Sequence, residues 1–92
     1  MENMKIKELL SDKTKWTRLT RARDVHRRPV SSLSDEAVCW CLEGAVIKCY
    51  DYDRNDIIFK KIWTEIGKPA IGFWNDSHSF KEVKALVNKL DI

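Results

Sequence analysis

The chain lacks the long apolar stretch that a membrane span requires: no run approaches the roughly 20 residues needed to cross a bilayer. Its first ten residues, MENMKIKELL, lack the longer apolar core of a signal peptide. Cysteine is scarce and odd in number, three residues, so the cysteines cannot all pair within one chain. That count is low for a secreted disulfide scaffold and predicts reduced thiols in the cytoplasm. Histidine occurs twice, at His26 and His78, which leaves few partners for nucleophilic or metal chemistry. There is no internal repeat, low-complexity tract or linker, no zinc-finger spacing, no RNP-like aromatic pair and no GxxG loop.

What remains is 92 residues, 43% of them apolar. That is enough for one domain spanning residues 1–92, with a small core and little room for an elaborate cleft. The net charge of +3 is unevenly spread. Residues 1–30 carry nine Lys/Arg against four Asp/Glu, and residues 31–92 carry eight against ten. Between Lys13 and Arg28, seven cations face only Asp24.

The pattern predicts an α+β domain with three main helices, a short N-terminal helix and a small antiparallel β-hairpin over residues 16–31. Ile6, Leu9 and Leu10 fall at i, i+3 and i+4, predicting a short helix that ends near Asp12 and depends on docking. In KWTRLTRARDVHRRPV, the Thr, Val and Trp content predicts two extended segments joined by a turn at 24–28, with Pro29 confining the second arm to an edge or a loop. A first main helix is predicted from an N-cap at Ser34 to about Tyr50. A second carries the stripe Ile58, Phe59, Ile62, Trp63 and Ile66, with Gly67 and Pro69 as stop signals. AIGFWND reads as an apolar connection ending in a turn. The last helix begins at Ser79, where Glu82 completes a capping box ahead of Val83, Leu86, Val87 and Leu90.

The cysteines of AVCWCLEGA invite a metal or redox reading. On the predicted helix, Cys39 and Cys41 point about 200° apart, and Cys41 and Cys49 are separated by about 12 Å along the axis, so neither pair shares an ion or a disulfide. Both Cys39 and Cys41 would lie beyond the first turn, where the helix dipole no longer favours thiolate. They are expected to be buried packing residues, with no metal and no cofactor. A small enzyme built on Cys41, His78 and Asp76 is the minor alternative. An interior Gly44 costs about 1 kcal/mol relative to alanine, which predicts close approach of a neighbouring element.

ARD....PV at 22–30, DEAVCWCLEGA at 35–45, and WND at 74–76 followed by a capped helix together resemble a family of short bacterial and phage proteins, a domain of unknown function with a W...ARD..G..V, A..WC..GA and WND pattern. The likeness covers roughly residues 16–90, at Trp16, Ala22, Arg23, Asp24, Val30, Ala37, Cys41, Gly44, Ala45, Trp74, Asn75, Asp76 and Val83. Arg27 stands where that pattern has glycine, which predicts a wider turn. Asp24, Asn75 and Asp76 suit turn and cap hydrogen bonds. The alternative is that Arg23, Asp24, Asn75 and Asp76 converge as a polar site.

Function is sought in the basic segment: Lys13, Lys15, Trp16, Arg18, Arg21, Arg23, Arg27 and Arg28. The expectation is a small non-enzymatic protein-interaction module, of the kind of a phage or mobile-element inhibitor or adaptor, with a larger protein as partner and no membrane role. The alternative is a nucleic-acid-binding accessory protein, its cations on phosphates and Trp16 on a base. Against both stands the arrangement in which some arginines pair with the acidic residues of 51–56. The sequence does not fix the oligomeric state.

Overall fold

A computed structural model describes residues 4–50 and 53–92. The short N-terminal helix α1, Ile6–Leu9, is too brief to be stable alone and depends on docking, as expected. Ile6 and Leu10 are fully buried, the Lys7 N–H donates to Ile92 O at 3.0 Å, and Lys5 and Lys7 both reach the Asp91 carboxylate. These two cations hold the Asp91 carboxyl down at about 2. A 3-10 turn at Lys13–Lys15 follows, capped by Asp12, which accepts from the Thr14 N–H at 2.8 Å.

Strand β1, Ala22–Arg23, pairs antiparallel with β2, Cys39–Trp40, in the register Ala22 opposite Trp40 and Arg23 opposite Cys39. Trp16 bridges to Trp40 in parallel on the far side of β2, and Pro29 bridges to Arg23 on the far side of β1. The expected pairing of the two arms around residues 24–28 is therefore present, with Pro29 at the outside. The expected wide turn is not. The Arg27 N–H donates to Asp24 O at 3.0 Å and the Asp24 N–H to Arg28 O at 2.9 Å, which is a tight connection. Arg27 achieves it by adopting φ 68°, a left-handed conformation that glycine takes without strain. Arg27→Gly is therefore expected to stabilise the fold by about 1 kcal/mol and Arg27→Ala to give no such gain, measured by urea unfolding.

The helix predicted from Ser34 to Tyr50 needs correction. Ser34 does cap, its hydroxyl accepting from the Glu36 N–H at 3.1 Å, but it closes a local turn. Cys39 and Trp40 then extend as β2, buried on both sides of the small sheet. Helix α2 starts only at Leu42 and runs to Cys49, with Cys41 as its N-cap. Val38, within the span predicted as helix, is exposed. Valine and tryptophan favour strands, and pairing with Ala22–Arg23 outweighs the helical spacing of their apolar neighbours.

Gly44 meets the close neighbour its position demanded. A Cβ there would stand within 2.8 Å of the Arg21 carbonyl carbon and closer still to its oxygen.

Helix α3, Asn55–Ile66, buries Ile58 and Ile62 and stops at Gly67, which takes φ 87° and donates its N–H to Trp63 O. AIGFWND is not a connection: Ile71–Ser77 forms helix α4, buried through Ile71 and Asn75 at i and i+4. Helix α5, Phe80–Leu90, opens with the expected capping box, Ser79 Oγ accepting from the Glu82 N–H at 3.2 Å and Glu82 Oε1 from the Ser79 N–H at 3.0 Å. Its buried Val83, Leu86 and Val87 contribute roughly 1.5–3 kcal/mol each. The fold is thus α+β, with four helices of seven or more residues among the described residues in place of the three main helices expected. Among the described residues, no helix is long and apolar enough to cross a membrane.

Candidate functional site

The ARD and WND segments converge, and they converge on backbone. Asn75 is fully buried on α4. Its Oδ1 accepts from Trp16 Nε1 at 2.6 Å and from the Leu42 N–H at 3.0 Å, and its Nδ2 donates to Thr17 O and to Asp76 Oδ1, both at 3.1 Å. One amide therefore ties α4 to the start of α2 and to the segment before β1, with both of its ends satisfied. Asp76 Oδ1 also accepts from the Leu19 N–H at 2.9 Å.

Arg23 approaches the same segment from β1. Its Nε donates to Thr17 Oγ1 at 3.0 Å, its Nη2 to Arg18 O at 3.2 Å and its Nη1 to Arg27 O at 2.8 Å. The rigid guanidinium fork thus joins the 24–28 turn to the 17–18 backbone. Arg18 closes the arrangement, its guanidinium 4.9 Å from the Trp16 ring centroid and bonded to His78 O.

The segment held in this way, 16–20, presents a leucine to solvent. Leu19 has φ 71° and is 80% exposed. A left-handed leucine costs roughly 1–2 kcal/mol, which the bonds around it offset. Phe73, 71% exposed, lies one turn before Asp76 on the same side of α4. Between the loop and α2 is a shallow cleft lined by Leu19, Thr20, Cys41, Glu43, Gly72 and Asp76. The Arg21–Glu43 ion pair, at 2.9 Å, lies at its rim. Leu19 and Phe73 are thus two exposed apolar side chains that adjoin Asp76, one through its N–H bond to the carboxylate and the other along α4. Sequence reasoning missed both: nothing local marks Leu19 as left-handed, and Phe73 was placed in a connection.

The residues of the basic segment separate into three groups. Lys13 and Lys15 are exposed and make no side-chain hydrogen bond among the described residues. Arg21 and Arg28 pair with carboxylates, Glu43 and Asp24, rather than with the acidic residues of 51–56; Asp51 of that group lies outside the described residues. Arg18, Arg23 and Arg27 bind neutral acceptors, the last reaching Cys39 Sγ at 3.6 Å, so their charge is not cancelled. Trp16 is 8% exposed, packed on Phe80 and hydrogen-bonded to Asn75, and offers no free face for stacking on a base. Asp24 serves the turn: the Arg28 N–H, the Arg28 guanidinium and the His26 N–H hold its carboxyl below the usual range.

All three cysteines are free and buried. Cys41 is not beyond the first turn of a helix, as expected from the longer helix, but at the N-cap of α2, where Sγ accepts from the Gly44 N–H at 3.3 Å. Burial nevertheless pushes its thiol up, and the Gly44 and Glu43 N–H groups only partly offset this. Burial takes Cys49 to about 12. His78 stacks on Trp74 at 4.0 Å with Nδ1 2.6 Å from Trp74 O, so this nitrogen carries the proton. Neither His78 nor Asp76 hydrogen-bonds to Cys41 among the described residues. Nor is any group of three or more His, Cys, Asp or Glu among them arranged to hold a metal ion.

No family model, no curated protein and no solved structure matches the chain.

Proposed function

We propose that this protein is a non-catalytic protein-interaction module whose recognition element is the 17–20 loop, with Leu19 and Phe73 as apolar anchors. The observation that carries the reading is the convergence of Arg23, Asn75 and Asp76 on the backbone of that loop. A loop fixed before binding loses little conformational entropy on binding, so a small surface can hold a partner. The uncompensated cations Lys13, Lys15 and Arg18 precede Leu19 in the same segment and favour an acidic surround on the partner. An inhibitor or adaptor role fits a module of this size.

Leu19→Asp tests the reading. Leu19 packs on no core residue, so the variant is expected to match the wild type in circular dichroism and in urea midpoint. Used as bait in a lysate of the cells that carry the gene, wild type should retain a specific protein and Leu19→Asp should lose it by about tenfold or more, as for an interface hot spot. Recovery of the same proteins in equal yield by both baits would remove the loop from the interface.

A second reading, a nucleic-acid-binding accessory protein, draws on the five cations without a carboxylate partner: Lys13, Lys15, Arg18, Arg23 and Arg27. It requires binding that weakens steeply with salt, and no binding to single- or double-stranded DNA or RNA at low salt would dismiss it.

A further inference from the structure

A second surface, independent of the 17–20 loop, lies on the outward side of α3. Ile58 and Ile62 point into the core, and the opposite side of the helix carries Ile57, Lys60, Lys61 and Thr64, with Trp63 on its flank. Trp63 is 40% exposed and is backed by Phe59, whose ring centroid is 6.1 Å away, so the indole is held in a fixed orientation. Two shallow, mostly apolar grooves run on either side of the Lys60–Thr64 ridge. One passes between α3 and α5, past Ile57 and Leu90; the other runs beside Trp63 to Lys68.

The rims of these grooves are cationic. Lys60, Lys61 and Lys68 are exposed and pair with no carboxylate among the described residues. Of the acidic groups nearby, Glu65 pairs with Lys89 and Glu43, beside Trp63, pairs with Arg21, which leaves Asp53 and Asp56 at the other end of the helix. The concentration of positive charge is unexpected from the sequence, in which residues 31–92 carry more acids than bases.

We infer that the outward face of α3 docks an acidic amphipathic peptide segment of a partner protein, with apolar side chains in the two grooves and carboxylates on Lys60, Lys61 and Lys68. The apolar lining selects a peptide over a polyanion, because a phosphate backbone has nothing to place beside Ile57 and Leu90. The lysines select the sign of the peptide's charge. Trp63 is the anchor, being the one side chain at the site that combines a large apolar area with a fixed orientation.

The probe is a fluorescein-labelled synthetic helix with leucine and phenylalanine on one face and glutamate on the other, titrated with the full chain and followed by anisotropy. Saturable binding is expected, weakened about tenfold or more by the double variant Lys60→Glu/Lys68→Glu and by Trp63→Ser, and reduced by salt. Leu19→Asp should leave this binding unchanged, which separates failure here from failure of the loop reading. Lys60 and Lys68 make no side-chain contact that the fold needs, so the double variant stays folded by circular dichroism and remains informative. No saturable binding, equal affinity for a helix with lysine in place of glutamate, or tighter binding of an oligothymidylate than of the peptide would each overturn the inference.

Discussion

Gly44→Ala is expected to cost the fold about 3 kcal/mol or more. The added methyl group would meet the carbonyl of Arg21, which is backbone, within a ladder where the Cys41 N–H donates to that same oxygen at 3.1 Å. No rotamer change relieves such a contact, so either β1 or the first turn of α2 must move away from the other. Overpacking a well-packed site costs roughly 1–3 kcal/mol when side chains can adjust. With backbone on both sides, we expect about 3 kcal/mol or more, a large part of the roughly 5–15 kcal/mol of a typical domain. A urea midpoint lowered by that amount in Gly44→Ala, or loss of the transition altogether, would meet the expectation. A midpoint close to wild type would show that β1 and α2 are not held at this distance.

Asn75→Ala carries the second large effect. It leaves Trp16 Nε1, the Leu42 N–H and Thr17 O without their partner in the interior. Each unsatisfied buried group costs roughly 1–3 kcal/mol, so the three together cost about 3–9 kcal/mol. Asn75→Asp should be nearly as damaging at neutral pH, since it removes the Nδ2 donor and places a buried carboxylate beside Asp76. The sign of its pH dependence distinguishes it from simple truncation. A carboxyl whose folded pKa is raised favours folding while protonated and opposes it as the pH rises through the carboxylate range. Asn75→Asp should therefore regain stability on acidification toward about pH 4 relative to Asn75→Ala. Parallel pH profiles for the two variants would show that position 75 is not enclosed as described.

The parts of this fold legible in the sequence are those settled by residues close together in the chain. Ser79 and Glu82 are three apart and specify their cap between them; Gly67 ends α3 by its own left-handed φ. The turn at 24–28 was legible as a turn, but its tightness was not, because Arg27 accepts a conformation usually left to glycine. Cys39 and Trp40 were misassigned because their strand partner, Ala22–Arg23, lies far back in the chain. Within the 34–41 stretch, only the strand preference of Val38 and Trp40 competes with the apolar spacing that suggested a helix. The same holds for Asn75. Its bond to Trp16 spans 59 residues, and in a string of letters WND is only a good turn former. Seven basic residues suggested an open cationic surface, yet Arg23 is mostly internal hardware and Arg21 and Arg28 are paired. The sequence shows how many charges there are, and only the fold shows how many are already engaged.

Amide hydrogen exchange at Leu19 is the most direct measurement of whether the 17–20 loop is fixed before any partner arrives. Leu19 is highly exposed, so its N–H would exchange at close to the rate of an unstructured chain unless the carboxylate of Asp76 holds it. We expect marked protection at Leu19 and Thr17 in the free wild-type protein. Protection at Leu19 should be lost in Asp76→Ala, while Thr17, bonded to Trp40 O, keeps its own. Leu19 exchanging at the unstructured rate in the wild type, or equally protected in Asp76→Ala, would contradict a loop pre-shaped by the ARD and WND segments.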